Sequence, residues 1–334
     1  MKNKIVVFVL LFSVAVVLHA RATLTGYIAL DYVKGPDAPA LTKGSFQNVL
    51  TGLQFFGDIS SGLSYLTEFQ FNPESTFDLT QAWISLGASE GIGLKLGLYL
   101  VPFGRYNESN RPHQTALINP PLNVEKMYPW FWRDVGILLE GKIRGFFYSA
   151  YLGNGLSESE DLTQGQQFKD NNADKAGGGR LGFRIGRGFE VAYSQYRGRY
   201  DEDSTRDLVL QGFDIQWFTP EWQVLAEYSV ADLDNPDGSG KAEGYFVQAL
   251  MNLGKFRPVV CYQHLDYDDS FHGPGFTSPG DPGLGIFEKH RRWALGIVFQ
   301  TSQNFLLKFE YDWDREKVAD VEDESFAFQA AFRF

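Results

Sequence analysis

Segments that alternate between apolar and polar residues follow one another along almost the whole sequence. From Ile92 to Leu100, a large apolar side chain stands at every even position, with Gly, Lys or Tyr between. Such alternation places one set of side chains on each face of a β-strand. We predict sixteen strands, at 23–33, 44–58, 60–72, 77–87, 91–101, 134–141, 143–152, 178–187, 189–200, 205–218, 221–231, 241–253, 255–266, 290–299, 303–313 and 324–334. Their lengths suit tilted membrane strands, which need roughly 9–11 residues.

The predicted links between these strands alternate in length. After even-numbered strands they are very short, as at Gly186-Arg187-Gly188 and Thr219-Pro220. After odd-numbered strands most are long and polar: 34–43, 102–133, 153–177, 232–240, 267–289 and 314–323. Short turns at one end and long loops at the other are typical of bacterial outer-membrane barrels. A soluble β-sandwich, the alternative, would not sort its links in this way.

The two faces of the predicted strands differ in charge. Lys308, Glu310 and Asp312 share one face of the fifteenth strand, whereas the other face is aromatic and apolar. A charge that faces lipid near the middle of the bilayer costs roughly 2–4 kcal/mol, so an uncharged outer face is expected. We therefore predict an all-β, transmembrane antiparallel barrel of sixteen strands, formed by residues 23–334 as one domain. Sixteen strands enclose an aqueous channel.

The N-terminus has the features of a secretory signal. Lys2 and Lys4 precede an apolar run, and Ala20-Arg21-Ala22 follows it. We predict a signal peptide at residues 1–22, and the alternative is a membrane anchor, for which the run is short. The chain has 41 acidic against 30 basic residues, which argues against nucleic-acid binding. The single cysteine excludes an intramolecular disulfide framework and cysteine-rich zinc sites. We expect no metal and no cofactor.

The predicted link 102–133 is the longest and combines charged with aromatic residues. A solvated linker would hold fewer aromatics, and a loop of this length in a compact chain indicates function or disorder. We predict that it folds into the lumen and narrows the channel. Its candidate constriction residues are Arg105, Glu108, Arg111, His113, Glu125, Lys126 and Arg133.

Strand parity identifies the charges that face the lumen. The basic candidates are Lys95, Arg180, Arg184, Arg257, Arg292, Lys308 and Arg333, and the acidic ones are Glu68, Glu140, Glu190, Asp214, Glu227, Glu310 and Asp312. The wall is thus balanced and the loop slightly basic, which favours anions weakly. For any one of these residues the alternative is a solvated or salt-bridged lumen charge. Replacing Arg105, Arg111 and Arg133 together by alanine should then shift selectivity toward cations without harming assembly.

A family resemblance adds to this interpretation. Gly97 to Gly104, followed by Arg105-Tyr106-Asn107, resembles the strand-to-loop junction of the phosphate-selective porin O and P family. The final residue, Phe334, resembles the C-terminal signature of outer-membrane porins. The resemblance implies a trimeric porin in the outer membrane of a Gram-negative bacterium, with its third loop in the pore and basic residues that attract phosphate. It also implies that Phe334 is an assembly signal for the barrel assembly machinery. The acidic outer loops are candidates for contacts with lipopolysaccharide.

The predicted function is passive diffusion of small hydrophilic solutes or ions, with a weak preference for anions. One alternative is a channel specific for phosphate or another oxyanion. Another is a structural or adhesive outer-membrane barrel with a plugged lumen. An enzyme is not expected, because the sequence has no G-x-S-x-G motif and no histidine beside a recognisable nucleophile.

Overall fold

The chain forms a closed antiparallel barrel in which every strand pairs with its neighbours in sequence and the first pairs with the last. The computed structural model describes residues 21–35, 41–73, 75–87, 91–159, 162–235, 238–267, 289–316 and 321–334. The strands are β1 (Arg21–Lys34), β2 (Ser45–Ser60), β3 (Leu63–Asn72), β4 (Ser75–Leu86), β5 (Ile92–Leu100), β6 (Arg133–Ile143), β7 (Phe146–Gly153), β8 (Ala176–Ile185), β9 (Phe189–Arg199), β10 (Asp207–Phe218), β11 (Trp222–Asn235), β12 (Gly238–Met251), β13 (Phe256–Tyr267), β14 (Lys289–Gln300), β15 (Phe305–Glu316) and β16 (Val321–Arg333). This confirms the predicted sixteen-stranded barrel. None of the helices in the described ranges is long and apolar enough to span a membrane.

Two of the predicted long loops are largely strand. β11 continues to Asn235 and β12 begins at Gly238, so the prediction of a loop at 232–240 is wrong. Asp232 pairs with Lys241 and Leu233 with Gly240, so ladder hydrogen bonds extend this polar hairpin. β15 and β16 likewise extend into the predicted loop 314–323. The polarity of these segments did not show that the strands continue into them.

The N-terminal prediction is only partly covered by the structure. Residues 1–20 of the predicted signal lie outside the described residues. β1 begins at Arg21, two residues before the predicted start of the mature chain, where Arg21 pairs with Asp58. The signal peptide stays a prediction.

The outer and inner faces of the strands follow the predicted parity. On β8, Leu181, Phe183 and Ile185 are about half exposed on the outer surface, whereas Arg180 is buried inside. On β15, the inward-facing Lys308 is also buried. The outer surface therefore carries an apolar band suited to lipid, and Arg180 and Lys308 face inward.

One sector of the inner face is apolar as well. The lumen side of β10 to β13 carries buried Leu208, Leu210, Ala231, Leu233, Ala242, Phe246, Leu250, Val259, Cys261 and Leu265. Residues that face an aqueous lumen are ordinarily polar, so another part of the protein must shield this apolar sector from water. The long link between β5 and β6 covers it.

The barrel closes between β1 and β16 beside the C-terminal residue. The amide of Gly26 donates to the carbonyl of Phe334, and the amide of Phe334 donates to the carbonyl of Gly26, both at 2.9 Å. The Phe334 ring stacks on that of Phe332, with centroids 6.1 Å apart. Phe334 thus adds one more residue pair to the closing ladder, and its role as an assembly signal stays a prediction.

Candidate functional site

Residues 101–132, called here the inner loop, lie inside the barrel between β5 and β6. The inner loop contains two short helices, α1 (Tyr106–Ser109) and α2 (Leu122–Met127). Its two ends meet, because the amide of Val101 donates to the carbonyl of Trp132 at 2.9 Å. Asn107 ties the same ends: its Nδ2 donates to the carbonyls of Val101 and Trp132, each at 2.8 Å, and its Oδ1 accepts from the Trp132 amide. Asn107 was not among the predicted site residues, since nothing in the sequence distinguishes it from other loop asparagines.

An aromatic cluster fills the space between the inner loop and the apolar sector of the wall. The Trp132 ring packs 5.5 Å from Phe103 and 5.0 Å from Tyr196 of β9, centroid to centroid. Tyr106 meets Phe246 of β12 edge to face. All five rings are buried, and they belong to one core cluster with the apolar residues of β10 to β13. The inner loop is therefore packed into the barrel as a folded unit on that side.

Charged residues on the inner wall of the barrel form hydrogen bonds to the inner loop, mostly to its backbone. Glu227 of β11 accepts from the amides of Arg105 and Tyr106 at 2.7 and 2.5 Å. On β15, Glu310 accepts from the amides of Ile118 and Asn119, and Lys308 donates to the Thr115 hydroxyl and the Leu117 carbonyl. Lys308 and Glu310, both predicted to line the pore, face the lumen, but the inner loop covers them. Buried charges need such partners.

Two ion pairs hold the predicted constriction residues to the wall. Arg111 forms two parallel bonds to Glu68 of β3, Nε to Oε1 at 2.8 Å and Nη2 to Oε2 at 2.6 Å. Glu125 of α2 pairs with Arg292 of β14 at 3.1 Å and with Lys126 at 3.0 Å. Burial alone would raise the pKa of Glu125, but the charges of Arg292 and Lys126 outweigh it and hold the pKa at about 2. Glu125 is therefore ionised at neutral pH.

Four other predicted residues take different places. His113 packs on the Tyr27 ring, and burial together with nearby bases lowers its pKa to about 4, so it is neutral at pH 7. Arg133 was predicted in the loop but is the first residue of β6, where it pairs with Asp78 at 2.8 Å. Arg257 lies half-buried on the lumen side of β13, and Arg333 is exposed at the short-turn end.

A cavity remains inside the barrel at the short-turn end, on the side of β5 to β9. It has a volume of about 680 Å³ and is called here the short-turn cavity. Its charged lining consists of Arg105, Lys142, Arg144, Arg180 and Arg184 against Glu108, Glu140 and Glu190. Five bases against three acids give it a positive formal charge.

Most bases of the short-turn cavity are paired. Arg180 binds Asp214 at 2.7 Å and Glu190 at 3.2 Å, and Arg184 also binds Glu190. Arg105 binds Glu108, and Lys95, just behind the cavity lining, binds Glu140 at 2.9 Å. These charges neutralise one another locally.

Two further basic residues that line this cavity were not predicted from the sequence. Lys142 and Arg144 are exposed, and the described residues offer them no ion-pair partner within 4 Å. Lys142 has the same strand parity as Glu140, but the predicted strand 134–141 ended before it, whereas β6 continues to Ile143. Arg144 lies in the tight turn after β6 with a φ of 56°, and turns are not assigned to a face by parity.

The chain resembles several known proteins. A family model described as Gram-negative porin matches residues 7–334. An uncharacterised protein of Aquifex aeolicus is 22% identical over 355 residues, covering 90% of this chain and 77% of that protein. The anion-selective porin from Comamonas acidovorans aligns with a TM-score of 0.70 at 14% identity, over 94% of this chain and 100% of that one. The trimer form of OmpT, an outer membrane protein of Vibrio cholerae, aligns with a TM-score of 0.65 at 11% identity, over 94% and 99% of the two chains. Likeness at such identities shows the fold.

Proposed function

The chain belongs to the Gram-negative porin family, and from that membership we propose that its passage runs through the short-turn cavity and favours small anions. The protein is an outer-membrane channel for passive diffusion of small hydrophilic solutes.

The observation that carries the proposal is the charge of the short-turn cavity. The inner loop packs densely against β9 to β14, whereas the short-turn cavity, lined by β5 to β9, keeps about 680 Å³ of free volume. There the bases outnumber the acids by five to three. Lys142 and Arg144 are not neutralised by ion pairs with described residues, so they attract anions from solution. The resemblance to an anion-selective porin agrees with this sign.

Reversing two charges should reverse the selectivity. In the variant Lys142→Glu/Arg144→Glu, the formal charge of the cavity lining falls by four, from two positive to two negative. We expect the reversal potential in a salt gradient across a planar bilayer to change sign, from anion to cation preference. Lys255→Glu is the control, since Lys255 is exposed in the β12–β13 link at the same barrel end and does not line this cavity.

The same recordings separate the alternatives. An unchanged reversal potential in the double variant would place the selective charges elsewhere. No conductance steps from folded protein would favour a plugged structural or adhesive barrel instead of a channel.

Phosphate specificity, which the family resemblance implies, needs a cluster of bases that can bind an oxyanion together. Arg105, Arg180 and Arg184 are each already paired with carboxylates. We therefore expect conductance to rise in proportion to phosphate concentration. Saturation at millimolar phosphate, with chloride conductance still linear, would instead favour an oxyanion-specific channel.

The proposal includes a homotrimer. The family resemblance implies one, and a structural neighbour is described in its trimer form. Contacts with lipopolysaccharide and recognition of Phe334 by the barrel assembly machinery are further parts of the proposal.

A further inference from the structure

Two further cavities lie one above the other inside the barrel, between the inner loop and the strands β1, β2 and β16. The first, called here the long-loop cavity, has a volume of about 300 Å³, and its lining includes Ala29, Asp31, Asn48, Leu50, Pro112 and Gln329. The second, called here the closure cavity, has a volume of about 340 Å³, and its lining includes Thr25, Tyr27, Gln54, His113 and Arg333. The two cavities follow the same strands from one end of the barrel to the other.

Each of these cavities is open at its own end of the barrel. Asn48 and Trp130 line the long-loop cavity and are exposed, and Asn304 and Arg333 line the closure cavity and are exposed. Tyr27, which lies between these ends, is only 1% exposed. Both cavities are therefore reached from outside but closed toward each other.

The layer that separates the two cavities is thin. On β1, Tyr27 lines the closure cavity, and Ala29, the next inward position, lines the long-loop cavity. Alternate residues of a strand are only about 6–7 Å apart. On the inner loop, Pro112 and His113 are consecutive residues and line different cavities. The layer is therefore about one side chain thick.

Two stacked rings form this layer. The Tyr27 side chain reaches from β1 across β2 to β3, where its hydroxyl accepts from Nε2 of Gln70 at 2.6 Å. It lies directly over Gly52 of β2, since a Cβ at Gly52 would be 2.2 Å from Cζ of Tyr27. On the lumen side, the His113 ring packs on Tyr27 with centroids 5.2 Å apart. The two rings therefore fill the space between the wall and the inner loop.

The part of the inner loop that carries His113 is fixed to the wall. Arg111, two residues earlier, forms its two parallel bonds to Glu68 of β3 with both side chains buried. Buried, charge-assisted pairs of this geometry are strong. Opening the layer therefore requires movement of the Tyr27 and His113 rings and not of the loop.

We propose that the long-loop cavity and the closure cavity are the two halves of a second passage, which Tyr27 and His113 hold closed. The second passage shares no lining residue with the short-turn cavity. It thus goes beyond the proposed anion passage, because it gives the barrel a separate route along β1, β2 and β16. Tyr27 is the residue that decides whether solutes can use it.

Single-channel conductance in planar bilayers tests the proposal. Tyr27→Ala should conduct more than the unmodified protein, because removing the phenol joins the two cavities. Tyr27→Phe keeps the ring and loses only the bond to Gln70, so its conductance should equal that of the unmodified protein. Tyr200→Ala is the matched control, because Tyr200 is also 1% exposed but lies at the end of β9 and lines none of the three cavities.

A second variant covers the case in which Tyr27→Ala does not fold. His113→Ala removes the other ring of the layer, and His113 is only partly buried. Its conductance should also exceed that of the unmodified protein. Unaltered conductance in His113→Ala and in folded Tyr27→Ala would overturn the proposal, as would an equal rise in Tyr27→Phe or Tyr200→Ala.

Combining Tyr27→Ala with Lys142→Glu/Arg144→Glu separates this proposal from the anion passage. The conductance that Tyr27→Ala adds should be the same in both backgrounds, because the two passages have different linings. Loss of that increment in the combined variant would mean that there is one passage and would overturn the proposal. If the unmodified protein shows no conductance steps, the proposed anion passage fails, whereas Tyr27→Ala should still produce steps.

Discussion

Replacing Arg111 by methionine is expected to destabilise the folded barrel by about 3–5 kcal/mol, because it leaves the carboxylate of Glu68 buried without its cation. The side chains of Arg111 and Glu68 are 6% and 0% exposed, and Gln81 supplies only a neutral donor to the same carboxylate. Denaturant unfolding of the protein in lipid vesicles measures the change. The double variant Arg111→Met/Glu68→Leu should recover most of the loss, since it removes both charges.

The control for this experiment lies in the same loop. Arg105 pairs with Glu108, but their side chains are 38% and 35% exposed, so Arg105→Met should cost less than about 1 kcal/mol. Equal losses for Arg105→Met and Arg111→Met would show that burial does not set the strength of these pairs.

The geometry also revises a prediction made from the sequence. Replacing Arg105, Arg111 and Arg133 together was expected to change selectivity without harming assembly. Arg111 and Arg133 are buried in ion pairs with Glu68 and Asp78, so the triple replacement should impair stability first. Arg133 also opens β6 with the strand parity opposite to that of Glu140, instead of lying in the loop as predicted. Loop position did not reveal which carboxylate each arginine meets.

Replacing Trp132 by alanine is expected to have an effect of similar size, about 3–5 kcal/mol, by opening a cavity in the aromatic cluster. Trp132 is 1% exposed and packs on Phe103, Tyr128 and Tyr196. Because this cluster holds the inner loop against the wall, the variant should also show larger or noisier single-channel conductance. Unfolding experiments and bilayer recordings on one preparation measure both effects.

Trp130→Ala is the matched control for this second experiment. It makes the same change two residues away, on a side chain that is 49% exposed. Its effect on the free energy of unfolding should be small. If Trp132→Ala leaves both stability and conductance at their original values, the inner loop is held by its polar anchors alone.

The strands could be predicted because their signal is local. On β8, the charge of Arg180 and the apolar Leu181 assign the two faces without knowledge of any other strand. The apolar lumen side of β10 to β13 could not be predicted in the same way. On β12, both Phe246 and its neighbour Val247 are apolar, so alternation does not show which face is covered by lipid and which by the inner loop.

The roles of individual charges depended on contacts distant in sequence. Parity placed Glu310 on the lumen side correctly, yet its partner is the amide of Ile118, 192 residues earlier. Whether a charged side chain on the lumen wall contacts water or protein depends on the position of the inner loop. In contrast, assigning Lys142 needed only local information: the end of β6 at Ile143 instead of residue 141, and then the parity of that strand.

The anchoring of the inner loop has a consequence for the order of folding. Most of its partners come later in the chain, from Ser194 of β9, 90 residues from Gly104, to Asp312 of β15, 193 residues from Asn119. Contacts so distant in sequence form slowly, because long segments must be ordered before they stabilise anything. Until the inner loop has docked on them, β10 to β13 present apolar side chains on both faces. The partly assembled sheet is therefore prone to aggregation until the inner loop covers it.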